Sequence, residues 1–199
     1  ISRDIDDVEA LSVSLDHMGK IYEIRGENQK AVECREQAVQ ILRDIGDKRG
    51  EAEALINLGS TYAALWSLGE GYIEVGLYLK QKECYEQALQ LAKNIGYRSA
   101  EVHALYNLSS IYGAHNLLQD AFAYAKQALQ IARDIDYKQG EALVLSIMGS
   151  IYHSLRQYQN AIEYYKQSLE IAIYLKIRPL EVKRLDGLEI VYNRLHPAH

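Results

Sequence analysis

Apolar residues recur three and four places apart along almost the whole chain, with polar and charged residues filling the positions between. The clearest run is Leu145, Met148, Tyr152 and Leu155, followed after a short polar break by Ala161, Tyr165, Ser168 and Ile171. That spacing makes an apolar stripe on a helix, whereas a half-buried strand would alternate every second residue. The pattern predicts helices in pairs, at 8–25 and 28–45, 49–66 and 74–95, 99–115 and 118–135, and 138–155 and 158–176, with a last helix at 180–195. Gly46 and Gly96 stand where a helix must close in a left-handed residue, and Asp136 in the same slot is one of the few side chains that tolerate it. The expectation is an all-α stack of antiparallel helical hairpins.

The hairpins are copies of one another. Tyr22, Tyr62, Tyr112, Tyr152 and Tyr192 are 40, 50, 40 and 40 residues apart, and Met18-Gly19-Lys20-Ile21-Tyr22 returns as Leu58-Gly59-Ser60-Thr61-Tyr62, Leu108-Ser109-Ser110-Ile111-Tyr112 and Met148-Gly149-Ser150-Ile151-Tyr152. A fixed period of this size marks a solenoid, in which each unit buries its apolar face against its neighbours. We read residues 1–199 as one array: a partial repeat at 1–7, repeats at about 8–47, 48–97, 98–137 and 138–178, and a terminal helix at 179–195. The second repeat holds a ten-residue insertion near 66–75. Ile1-Ser2-Arg3-Asp4-Ile5 matches Ile41-Leu42-Arg43-Asp44-Ile45 at four of five places, which suggests a piece of a longer protein cut inside a preceding repeat. Uncovered apolar end faces would favour an end-to-end homodimer of such a piece.

The repeated text resembles the tetratricopeptide repeats, whose hairpin carries a small residue, a tyrosine three later, and two alanines that let the helices approach. Gly19, Tyr22, Ala31 and Ala38 fit, as do Ser109, Tyr112, Ala121 and Ala128, and Gly149, Tyr152, Ala161 and Ser168. The second unit keeps Gly59, Tyr62 and Ala88 but has Gln81 in the first alanine's place. The 40-residue period and the joints Arg43 to Asp47 and Arg133 to Tyr137 look like the long-repeat subclass of Pins-type scaffolds, kinesin light chains and bacterial signalling proteins. The resemblance implies a right-handed superhelix that recognises proteins without bond chemistry.

Charge and motif content agree with that expectation. Net charge is −5 with acids and bases interspersed, so the basic stripe needed for nucleic acid is missing. No apolar run is long enough for a membrane span. Cys34 and Cys84 occupy equivalent places in successive repeats, too far apart for a disulfide, and free thiols suit a cytoplasmic location. There is no phosphate loop, CxxC, HExxH or nucleophile elbow; Gly69-Glu70-Gly71 follows a helix and lacks a dinucleotide fingerprint's third glycine. The six histidines are scattered, and Pro197 separates His196 from His199. We therefore expect no enzyme, no metal and no cofactor.

The resemblance also implies that first helices line the concave face, which assigns a groove of Asp16, His17, Lys20 and Glu23, then Ile56, Asn57, Ser60 and Ala63, then Tyr106, Asn107, Ser110 and Gly113, then Ser146, Ile147, Ser150 and His153. The first unit is charged, and the middle is small, neutral and hydroxyl-rich. Asn57 and Asn107, in equivalent positions, either pair with a partner's backbone or bridge neighbouring helices. The groove lacks the cluster of bases with which chaperone-type members clamp a carboxylate terminus. In the insertion, Trp66 and Tyr72 form a second candidate surface, with Trp66 either an anchor or packing within its own hairpin. Helical spacing from Ile73 to Leu91 suggests that the insertion lengthens the second helix by about two turns, roughly 10 Å. The expected role is a scaffold binding a peptide or partner protein in the groove; the alternative is the sensor region of a bacterial multidomain signalling protein that controls an attached effector domain.

Overall fold

The computed structural model describes residues 2–67, 74–177 and 187–191, all of them in helices or in the short turns between them. The helices are α1 (Ser2–Ile24), α2 (Asn28–Ile45), α3 (Lys48–Ser67), α4 (Glu74–Ile95), α5 (Arg98–Ala114), α6 (Leu118–Asp134), α7 (Lys138–Ser154) and α8 (Tyr158–Tyr174). Residues 187–191 are also helical, within the span expected of the terminal helix. The paired helices fall where the periodicity puts them, except that α1 starts at Ser2 and not at residue 8. The chain forms two compact units, residues 1–100 and 101–199.

The insertion is distributed differently from the expectation. Counted from the register tyrosine, α3 runs three residues further than α5 and α7, and α4 gains four residues at its start relative to α2, α6 and α8. The second helix is therefore longer by about one turn, not two, because the first helix takes part of the added chain. Residues 68–73, including Gly69, Gly71 and Tyr72, lie outside the described residues.

Among the described residues the hairpin turns and the joints close in the same way. Gly46 (φ 77°), Gly96 (φ 70°) and Asp136 (φ 52°) take the left-handed conformation expected of them, and so do Gly26, Asn116, Arg156 and Lys176. At every one the following N–H reaches back to a carbonyl five residues earlier, as from Asp47 to Leu42 (3.0 Å), Leu117 to Tyr112 (2.9 Å) and Gln157 to Tyr152 (2.9 Å). These bonds satisfy carbonyls that a helix end leaves open, which is why even arginine and lysine are held there.

One contact between paired helices repeats with compensating sizes. Gly19, Gly59 and Gly149 on the first helices face Arg35, Tyr85 and Tyr165 on the second. A Cβ at Gly59 would lie 2.6 Å from the Tyr85 ring, one at Gly149 2.7 Å from the Tyr165 ring, and one at Gly19 3.0 Å from the Arg35 side chain. In the third hairpin the small residue is Ser109, its hydroxyl donates to the Ala121 carbonyl (2.8 Å), and the register position of the large residue is held by buried Ala125. Interiors at crystal-like density enforce this trade, since neither backbone can retreat. Ring contacts complete the second unit: Tyr112 packs on Tyr124 (5.2 Å between centroids), and Tyr152 stacks on Tyr164 (5.1 Å) with Phe122 at its edge (5.6 Å). Ala161, Ile162, Tyr165 and Val191 form a buried cluster that draws in the 187–191 segment.

The joints carry a second repeated device. Glu51 and Glu141 are buried, and each is gripped by two bases: Arg43 (2.8 Å) and Lys48 (2.9 Å) hold Glu51, and Arg133 (2.8 Å) and Lys138 (3.1 Å) hold Glu141. Burial pushes both carboxyls up, but the hydrogen bonds and charges of the paired bases outweigh it and hold both below the ordinary glutamate value.

Candidate functional site

Each unit carries an open cleft on its first helices, and the two clefts differ in chemistry. In the first unit a cleft of about 620 Å³ lies between α1 and α3, with Glu9, Asp16, Asp47, Arg49, Glu53 and Asn57 among its lining. Below it sits an ionic cluster that sequence reasoning missed. Arg35 on α2 is 5% exposed and reaches Glu23 with both terminal nitrogens (2.5 and 3.1 Å), Asp16 with Nε (3.3 Å), the Asn57 carbonyl (3.0 Å) and the Thr61 hydroxyl. Thr61 in turn donates to Glu23 (2.8 Å), and the Asn57 amide donates to Asp16 (3.1 Å). Three helices are thus tied through one guanidinium, whose planar fork suits several acceptors at once.

In the second unit a cleft of about 290 Å³ is bounded by α5 and α7 and lined by Tyr106, Ser110, Gly113, Ser146, Ile147 and Ser150 together with Ala114, Leu118, Ile151 and Ser154. No charged side chain lines it. Ser110 and Ser150 are exposed and Tyr106 and Ile147 half-buried, so hydroxyls and apolar carbon are both presented.

The candidate residues fare differently. His17, Lys20 and Ser60 are exposed, and Ile56 is half-buried. Asn57 bridges α3 to α1 as one of its two readings had it. Asn107 does not bridge: its amide returns to the His103 carbonyl on its own helix (3.0 Å). Ser60 and Ser150 sit against the Tyr85 and Tyr165 hydroxyls (3.3 and 3.0 Å), beside the glycines that admit those rings. His153 packs near the Tyr158 ring (5.8 Å). Trp66 is half-buried at the end of α3, and Tyr72 is outside the described residues.

Among the described residues no group of His, Cys, Asp and Glu side chains is arranged to hold a metal ion, and no helix is long and apolar enough to cross a membrane. Cys34 and Cys84 are free thiols. Burial, with the nearby Glu83 charge, pushes the Cys84 thiol up to about 12, and burial raises Cys34 as well, so neither is an activated nucleophile. Burial and the hydrogen bond to Glu36 (2.5 Å) likewise raise the Tyr62 phenol.

Helical hairpins of constant register, with clefts on their first helices and fixed small-to-large contacts between paired helices, define an all-α repeat protein of the solenoid class. The chain belongs to the tetratricopeptide repeat family, whose sequence profile matches residues 61–134 and 117–173. Among solved structures it is similar to a protein of Podosopora anserina, described as a kinesin light chain with nearly identical TPR-like repeats. That structure gives a TM-score of 0.63 at 16% identity, covering 96% of this chain and 99% of that one. A single-residue variant of it gives 0.68 at 18%, covering 94% and 86%. A thermophilic TPR protein of Thermus thermophilus gives 0.54 at 16%, covering 89% and 98%. No curated protein sequence matches. Repeats of this family generally mediate protein–protein interaction.

Proposed function

We propose that the chain is a non-catalytic scaffold that holds a peptide or partner protein against its first helices. The observation that carries this reading is the cleft of the second unit, where Tyr106, Ser110, Ile147 and Ser150, drawn from two helices, line one open cavity. A half-buried tyrosine and isoleucine supply apolar contact area, and serine hydroxyls supply adaptable hydrogen bonds to a peptide backbone. The Asn107 carboxamide, whose oxygen has no role in the bond to His103, adds an acceptor beside it. The first unit has its own candidate surface in His17, Lys20, Ile56 and Ser60, which Asn57 serves by fixing α1 to α3. Trp66 is a secondary contact at the insertion. Free thiols raised by burial accord with a reducing, cytoplasmic compartment.

The test is affinity capture from the native source with the wild-type chain beside Ser110→Arg. Ser110 is exposed and lines the cleft, so a long charged side chain fills it without entering the core. Loss of a specific partner, with helical content and thermal midpoint unchanged, supports the reading. Full retention of every partner removes the second cleft from it.

A further inference from the structure

We propose that the cleft between α1 and α3 takes a peptide segment bearing lysine and arginine, an assignment that rests on reading the chain as an interaction module. The cleft is of a size that encloses small ligands or a few side chains. Its lining includes exposed Val13 beside buried Ala38, Leu42 and Ala54, apolar carbon that suits the methylene stems of long basic side chains. Its walls carry Glu9, Asp16, Asp47 and Glu53 against one base, Arg49.

Neutral groups alone hold Asp47, while Asp16 and Glu53 each have a neutral donor and a base, Arg35 and Arg49 respectively. Asp47 accepts the α3 backbone N–H groups of Gly50 (2.9 Å) and Arg49 (3.1 Å), Glu53 accepts the Tyr97 hydroxyl, and Asp16 accepts the Asn57 amide. A carboxylate has about four lone-pair sites, so each keeps acceptors for a ligand. Arg35 offsets part of the charge, but it is shared with Glu23, and counting that whole cluster leaves five carboxylates facing two guanidinium groups. Arg49 stands 4.0 Å from Glu53 and over the Tyr97 ring, 4.2 Å from the centroid, but its side chain is 71% exposed, so it does not close the cleft. The contrast with the later repeats is informative. At the register positions equivalent to Glu9, Asp16, Asp47 and Glu53 the third and fourth repeats carry Ser99, Tyr106, Tyr137 and Leu143, so the negative charge belongs to this cleft and not to the repeat in general.

The test uses fluorescence anisotropy of the full chain with three short labelled peptides of one length: alternating alanine with lysine or arginine, the same with glutamine in place of the bases, and the same with glutamate. The basic peptide is expected to bind and the other two not, with affinity falling as salt rises. Glu9→Lys combined with Glu53→Lys, both at exposed positions, should weaken binding about tenfold or more, because two rim attractions become repulsions. The pair Asp44→Lys and Glu86→Lys, also exposed acids of the first unit but outside the cleft, should leave it within about twofold. Should the charge reversals perturb folding, Glu9→Gln with Glu53→Gln gives the milder version of the same loss. Equal losses from both pairs would mean attraction to the overall negative charge and would overturn the proposal, as would equal binding of the glutamine peptide. Ser110→Arg should leave the basic peptide bound; a chain that loses its native partner through Ser110→Arg but shows no cleft-dependent binding of the basic peptide keeps the scaffold reading and loses this one.

Discussion

Replacing Gly59 probes the compensating contact most directly. An alanine Cβ there would stand 2.6, 2.9 and 3.0 Å from three atoms of the Tyr85 ring, which is 1% exposed. Ordinary van der Waals contact begins near 3.4 Å, so the ring or the helix must shift by roughly 0.8 Å. Alanine gains about 1 kcal/mol of helix propensity over glycine, whereas an extra methyl in a filled interior costs about 1–3 kcal/mol. Gly59→Ala should therefore destabilise the first unit by about 1 kcal/mol, against the stabilisation of similar size expected at an open helical site. Tyr85→Ala alone should cost about 4 kcal/mol through the cavity it opens. Gly59→Ala with Tyr85→Ala completes the cycle, since the new methyl then occupies space that the ring has left. The double variant should be no less stable than Tyr85→Ala, giving a coupling of about 1–2 kcal/mol. Urea unfolding followed by circular dichroism, and by the fluorescence of Trp66 in the same unit, measures each corner of the cycle. Additivity within about 0.5 kcal/mol, or a Gly59→Ala protein more stable than the parent, would refute the argument.

Three further outcomes follow from the same reasoning. Arg35→Ala strips the partner from two partly buried carboxylates and should cost about 3 kcal/mol in the first unit, and Arg35→Lys should recover little of it because an ammonium cannot reach Glu23, Thr61 and the Asn57 carbonyl together; chemical denaturation of both variants checks this. Glu51 and Glu141 have folded-state values below their ordinary 4.5, so their contribution is complete above that pH and is lost as pH falls through the lower folded value. Acid titration of thermal stability should show a decline below pH 4.5 that is shallower in Glu51→Gln, and an unchanged slope would contradict the clamp. Finally, at mildly alkaline pH a thiol reagent should label half-buried Cys34 before buried Cys84, whose reaction should await unfolding; simultaneous labelling of the native chain would contradict its burial.

The helices were legible because a 3.6-residue period is a local property, repeated often enough that each hairpin corroborates the next. The left-handed closures at Gly46, Gly96 and Asp136 were legible for the same reason, since those residue types tolerate positive φ on their own. Asn116 shares that tolerance, whereas Arg156 and Lys176 adopt the same geometry without it, and there the bonds of the closing turn decide. The division of the insertion between α3 and α4 was not legible, because both stretches can be helical and only the packing of the hairpin stops each one.

The candidate site divides along the same line. By itself the amino-acid order determined the all-α hairpin and its period, and, through the resemblance those carry, the family and the face assigned to Tyr106, Ser110, Ile147 and Ser150; register along a helix fixes only which residues share a side. Whether a side chain on that face is available to a partner depends on what approaches from other helices, and only the tertiary structure decided it. Arg35 is one charged residue on an amphipathic helix until α1, α2 and α3 converge and bury it among Asp16, Glu23 and Thr61. Asn57 is committed to that convergence and Asn107 is not, although they occupy the same place in successive repeats. The acidic character of the first cleft arises in the same way, from carboxylates of α1, α3 and the joint before α3 that packing brings to a common rim.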